Sequence, residues 1–431
     1  MSFLPNHEFA QQNSFLRDPI LFSIAEKLPT ELLSSFEDLG SFTSSSEAKE
    51  LARLCNQFRP LLRQSDEWGR AKQNIELHPA YHALLRRSRA AGLSTSLWET
   101  RPEEKGGRYK ARALRLFLMA GIEHGHLQET IRTSAAISAL INETELYQHL
   151  KGVLLSCQYD SSIRPLEQKK SISLGLAFTG NGQNLPISQR GIAHQISFDK
   201  KLGLSRYELQ ALKPRVFTPH ADAFFLTAEV EGALSCFFVP RFDINEQLNQ
   251  IKIDYLIHEA GYASCPIAQM NFDGSCGWLI GQIGAGEKII NDIEMMLHFD
   301  EAVISVGSLR YALQFALDAF QKKREEEKTS PLTERIFADI ALDIAAAETL
   351  VFRLANAFDQ AVKNKEEAAF ARVMTPVTTF WVTSLAVPIL SEIIAQLGAT
   401  FYQEHDLLPR LLRDAVERNF SHKNNNFFVE D

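Results

Sequence analysis

Leu234-Ser235-Cys236-Phe237-Phe238-Val239-Pro240-Arg241-Phe242 is the stretch on which the fold turns. Its aromatic and β-branched residues, closed by Pro240, predict a short strand over Ala233 to Val239 rather than a turn of helix. Similar runs surround it: Ile172 to Phe178, Phe224 to Val230 and Ile251 to Ile257, bounded by Gly, Asn, Asp and Pro. Residues 171 to 286 therefore read as β-rich. In both directions outward the period changes. Upstream, apolar residues recur at helical spacing, as in Leu51, Leu54, Phe58, Leu61 and Leu62, or Leu114, Leu116, Phe117 and Met119. Downstream, the same periodicity predicts helices over Glu287 to Lys323, Leu332 to Val362, Lys365 to Val373, Pro376 to Leu397 and His405 to Glu417. The expected organisation is a helical domain (1–170), a β domain (171–289), a helical bundle (290–420) and a polar tail (421–431).

A chain of 431 residues exceeds one ordinary core, and 45% hydrophobic with 23% charged residues is the composition of a globular protein. The net charge of -8 argues against a broad nucleic-acid surface, so DNA binding is not expected. Arg86, Arg87 and Arg89 spread around a helix and read as a solvated face. Five cysteines without a CxxC pair fit free thiols in a reducing compartment. No basic stretch followed by an apolar run opens the chain, and Val377 to Leu390, broken by Thr, Ser and Pro388, is too short to span a bilayer. A cytoplasmic protein without a membrane partner is expected.

Local motifs offer little chemistry. Gly281-Gln282-Ile283-Gly284-Ala285-Gly286 lacks both GxGxxG spacing and a P-loop ending and reads as a turn. Glu294 and His298 share a helix face at i and i+4, with Asp300 close by, but no second motif makes them a metal site. His78 and His82 enclose Pro79, which marks a helix start. His124-Gly125-His126 is no better as a ligand set, and no Gly-x-Ser-x-Gly elbow occurs.

The order of parts, with Leu77-His78-Pro79-Ala80-Tyr81-His82, the Leu234 to Phe242 run, Phe352-Arg353-Leu354-Ala355 and Leu408-Pro409-Arg410-Leu411, resembles the acyl-CoA dehydrogenase family, in particular its AidB-type branch. The resemblance covers most of the chain. It implies an α+β multi-domain fold: an N-terminal helical domain, a middle β-barrel or sandwich and a C-terminal helical bundle. It also implies FAD between the last two parts and a Glu that removes the α-proton of an acyl thioester while hydride passes to the flavin.

Residue by residue, the family's strings are altered. Phe178 to Asn184 is a shortened form of its first flavin string, with Thr179 toward the ring and Asn184 in place of an Asp. Val216-Phe217-Thr218-Pro219 resembles the second, giving Phe217 and Thr218 as flavin contacts without the usual Trp. Where an R-x-x-F-G string would clamp a diphosphate stands Lys322 to Lys328, with three consecutive glutamates that would repel it. Of LGGxGY only Gly398 remains as a glycine in Leu397 to Tyr402. Counting nine residues from Arg413 of Arg413-Asp414-Ala415 reaches His422 where the family has its Glu; the alternative position, on the helix opening the last part, falls on Leu297. The branch's C-terminal extension, with its basic region, is not expected either.

The resemblance thus predicts a degenerate member, with little or no dehydrogenase activity alone, that serves as a partner subunit or binding scaffold. Its partners would be a second copy or a related acyl-CoA dehydrogenase-type subunit, and an acyl thioester. FAD-dependent oxidation of such a thioester through a modified site is the alternative. The apolar Pro376 to Leu397 helix predicts a homo-oligomer.

Overall fold

The computed structural model describes residues 13–65, 67–69, 71–99, 106–178, 191–326, 330–404 and 406–423. The first part is helical: α1 (Pro19–Ala25), α2 (Leu33–Ser44), α3 (Ser46–Gln57), α4 (Pro79–Ala90), α5 (Arg108–Ala120), α6 (Gly125–Ile141) and α7 (Thr144–Leu154). Side chains that accept from the first free amides start several of these. Asp18 accepts from the amides of Ile20 and Leu21, and Ser45 from that of Ala48. His78 does the same through Nδ1 at 3.2 Å from the amide of Ala80, with Pro79 in the first turn.

One antiparallel hairpin, β1 (Leu61–Ser65) with β2 (Ala71–Glu76), interrupts this part. It corrects the helical reading of Leu61 and Leu62. Helix α3 stops at Gln57 and Phe58 is extended, just ahead of Pro60, which denies Arg59 a helical backbone.

The middle part is a sheet of nine described strands: β3 (Leu174–Ala177), β4 (Ile192–Asp199), β5 (Leu204–Gln210), β6 (Leu212–Phe217), β7 (Ala223–Val230), β8 (Ala233–Pro240), β9 (Lys252–Ile257), β10 (Ile267–Asn271) and β11 (Ser275–Ile280). They run in the order β4-β5-β11-β8-β7-β3-β6-β10-β9, and β4 also pairs with β7, so the sheet curls back on itself. The Leu234 stretch is the central strand β8, paired with β7 and β11. Phe237 packs with Tyr207 and Leu226 on one face, while Phe238 packs on the other with Trp278 and the helical residues Ile137 and Leu140. Burial of both faces explains why β8 is apolar without alternation.

The last part holds α8 (Gly286–Glu326), α9 (Pro331–Gln360), α10 (Lys365–Leu397) and α11 (Leu407–Lys423). Two expectations change here. No break separates Val373 from Pro376: α10 runs through both Pro376 and Pro388. Buried threonine hydroxyls bond carbonyls along it, Thr379 reaching both Thr375 of its own helix and His298 of α8 at 2.8 Å. And α11 continues through Ser421 to Lys423, three residues into the expected tail. The length argument against a membrane span also fails, since α10 is 33 residues long and its most apolar window has a mean hydropathy of 1.6; 44% of that window is nevertheless buried in the bundle.

Two cores meet along this framework. One joins α1, α2 and α5 to α8 and α9; the other joins α6 and α7 to the inner face of the sheet. Helices α6 and α8 contribute to both, and between them the three parts of the chain converge.

Candidate functional site

The start of α6 is the anchor of that junction. Glu123, buried, accepts from the amides of Gly125 and His126 (2.9 Å each), from His126 Nδ1 (2.9 Å) and from the hydroxyl of Ser264 (2.6 Å). Burial pushes its carboxyl up, but the bonds from His126 and Ser264 outweigh that and hold it down to about 2. A side chain at Gly125 would collide with Ser264, whose Oγ lies 1.9 Å from where a Cβ would stand, so glycine is needed for the loop to close on the helix. His124 donates from Nε2 to the carbonyl of Ala120 (2.7 Å) and sets Nδ1 2.8 Å from Asp414. Asp414 also accepts from the amide of Tyr262 (2.7 Å), a residue held in the left-handed region at φ 49°. The His124-Gly125-His126 string thus ties α6 to the 258–266 loop and to α11; among the described residues no cluster of three or more ligands could hold a metal.

One turn further along α6, Gln128 donates to Glu301 of α8 at 3.1 Å and accepts from Arg132. The guanidinium of Arg132 lies 3.7 Å from the centre of the Phe217 ring, and that of Arg215 lies 4.5 Å from it. Arg215 in turn forks onto Glu259 (2.8 Å) and reaches Glu417 of α11 (2.9 Å). Burial and the neighbouring Glu259 push the Glu417 carboxyl up to about 7, whereas Arg215 keeps Glu259 ionised against its own burial. The second oxygen of Glu301, Oε2, is buried and has no hydrogen-bond partner. Burial, with the Glu301 charge second, raises the Tyr262 hydroxyl well above its ordinary value. The junction is therefore a polar seam, closed on one side by a cation–aromatic stack and carrying one unused buried acceptor.

Helix α8 presents Glu294, Leu297, Glu301 and Ser308 along one face at spacings of three, four and seven. Glu301 and Ser308 turn toward α6 and α11, as the bonds to Gln128 and Arg418 record. Burial alone pushes the Glu294 carboxyl up to about 7. Asp300 points elsewhere, into a fully buried fork with Arg112 of α5. Of the three residues grouped by sequence spacing, only Glu294 and His298 stay near one another along the helix, while Asp300 serves packing.

Phe217 and Thr218 stand where expected, at the end of β6. Thr218 has φ 54° and is fully buried, and its hydroxyl donates to the carbonyl of Phe217 at 2.7 Å. The ring of Phe217 is engaged by two guanidiniums. Gly398 ends α10 at φ 91°, a conformation that explains the glycine by itself, and no described contact joins it to Phe217 or Thr218. Thr179 and Asn184 lie outside the described residues. His422 falls in the last turn of α11. The Arg413-Asp414-Ala415 string divides its labour: Asp414 binds the Tyr262 amide, Ala415 fills the core, and Arg413 donates to the carbonyl of Glu404.

Residues 6–161 match the family model of the adaptive response protein AidB N-terminal domain, and residues 299–416 that of the acyl-CoA dehydrogenase C-terminal domain. The putative acyl-CoA dehydrogenase AidB of Escherichia coli (strain K12) is 30% identical over 383 residues, which cover 87% of this chain and 69% of that protein. Caenorhabditis elegans ACDH-11, solved in complex with C11-CoA, superposes with a TM-score of 0.82 at 22% identity, covering 98% of this chain and 74% of that one. PigA, solved as its FAD complex, gives 0.66 at 15% identity over 92% and 97%.

Proposed function

Because the chain belongs to the acyl-CoA dehydrogenase family, in its AidB-type branch, we propose that it binds an acyl thioester of coenzyme A at the α6–α8–α11 seam without carrying out the family's oxidation alone. The observation that carries this reading is the state of Phe217 and Thr218: the ring is held by Arg132 and the hydroxyl bonds the backbone, an arrangement that favours a role without flavin. Support comes from the counted position of the base, where an imidazole replaces a carboxylate, and from the fold shared with a C11-CoA complex. The spare oxygen of Glu301 supplies an acceptor for an amide N–H of the thioester's arm. In this role the chain acts as a binding scaffold, with a second copy or a related subunit against the exposed apolar residues of α10.

The test is an absorbance spectrum of the purified protein from the near-ultraviolet to the blue, followed by titration with C11-CoA and an electron acceptor. Binding without flavin absorbance and without acceptor reduction is expected. A yellow protein that reduces the acceptor on addition of the thioester would overturn the proposal.

A second reading, oxidation through a modified site, is favoured by Glu294, a half-buried carboxyl on the face of α8 that carries Glu301, raised by burial to about 7. FAD would then supply the hydride-accepting chemistry, and Glu294 would hold the proton. A general base works only when deprotonated, so the rate should rise as pH passes through about 7, and Glu294→Gln should lower kcat by about 100-fold or more.

A further inference from the structure

Bordering the seam, a groove of about 770 Å³ opens between the end of α3, the β1–β2 hairpin, the 258–266 loop and α11. Its floor carries an aromatic platform. The rings of Phe58 and His78 are stacked at 4.9 Å between centroids and 9° between planes. Neither ring is free to reorient cheaply, because His78 is pinned as the cap of α4 by its Nδ1 bond to the Ala80 amide, and Phe58 leans on it. Yet Phe58 remains 49% exposed.

The same groove is lined by two guanidiniums whose described bonds go only to backbone carbonyls: Arg59 to that of Glu259 (3.0 Å) and Arg413 to that of Glu404 (2.9 Å). Of the acidic side chains on the wall, Glu76 is taken up by Arg63 at 3.0 Å, which leaves Glu404 against two arginines. A preset aromatic face beside guanidiniums that have no carboxylate partner among the described residues, in a cleft of several hundred cubic ångströms, has a definite chemical complement: a flat heteroaromatic base with phosphate attached.

We propose that this groove is a binding site for a phosphorylated purine nucleotide, its base on Phe58 and its phosphates on Arg59 and Arg413. Two sources share that chemistry, a free nucleotide and the nucleotide end of a coenzyme A thioester. The site does not rest on the acyl reading, since a nucleotide without an acyl group is enough to test it.

The experiment is calorimetric titration of the full chain with ADP, with coenzyme A and with pantetheine. ADP and coenzyme A should bind and pantetheine should not. Phe58→Ala should weaken ADP about tenfold. Arg59→Ala, at an exposed position where folding is not at stake, should weaken it and flatten its dependence on salt. Equal affinity for ADP and coenzyme A assigns a free nucleotide; coenzyme A binding at least tenfold tighter assigns the thioester's nucleotide end. Absence of heat with both ligands, or wild-type affinity in both variants, overturns the proposal.

Discussion

Asp300 and Glu301 are consecutive acidic residues on α8, yet a rotation of about 100° sends them into different environments. Asp300 meets Arg112 in a fork buried at both ends, whereas Glu301 receives one bond from Gln128 and keeps an unused oxygen. Removing one partner of such a buried pair strands the other charge. Asp300→Ala should therefore cost about 3–5 kcal/mol of folding stability in denaturant titration; a loss below about 1 kcal/mol would mean that the fork is not the anchor described. This is also where sequence reading reached its limit. Spacing grouped Glu294, His298 and Asp300, but nothing in one dimension separates Asp300 from Glu301, since the deciding partners, Arg112 and Gln128, lie more than 170 residues away. Phe217 and Thr218 were legible as positions at a strand end. The engagement of the Phe217 ring by Arg132, from another part of the chain, was not.

At the scale of elements, apolar period placed the helices of the last part and four of the nine described strands of the large sheet, β3, β7, β8 and β9, and errors gathered where a local signal competed with packing. The β1–β2 hairpin was missed because Leu61 and Leu62 continue the helical spacing of α3 past the point where Pro60 forbids it. The break in α10 was over-read because Pro376 outweighs apolar packing in sequence but not in a helix clasped by α8, α9 and α11. Helix α8 carries its own pH dependence. Glu294 titrates near 7 in the folded chain, above its value of about 4.3 when unfolded, so its stabilising contribution is complete below the unfolded value and is lost as pH rises through about 7. Glu294→Gln should melt with the wild type at pH near 4 and above it at pH near 8. Parallel melting curves across that range would contradict the assignment.

For the whole molecule, the three-part order read from periodicity is the order found, and family resemblance identified it as a known fold. What the sequence could not give was how the parts meet, because the seam is built from residues of α6, α8, α11 and β6 that no local pattern connects. Some of the apolar surface is left outside these contacts: Val373, Val377 and Phe380 of α10 are each more than half exposed. A second subunit is the expected cover, and Val377→Asp with Phe380→Asp should shift the sedimenting species to a smaller mass. Unchanged sedimentation of the double variant would remove α10 from the interface.

The central claim is that this chain holds an acyl thioester and leaves it unoxidised. Native mass spectrometry of the purified protein incubated with C11-CoA reads both halves at once. The account predicts the mass of the chain plus intact thioester, with no flavin; a complex containing FAD, with the thioester lighter by two hydrogens, would contradict it.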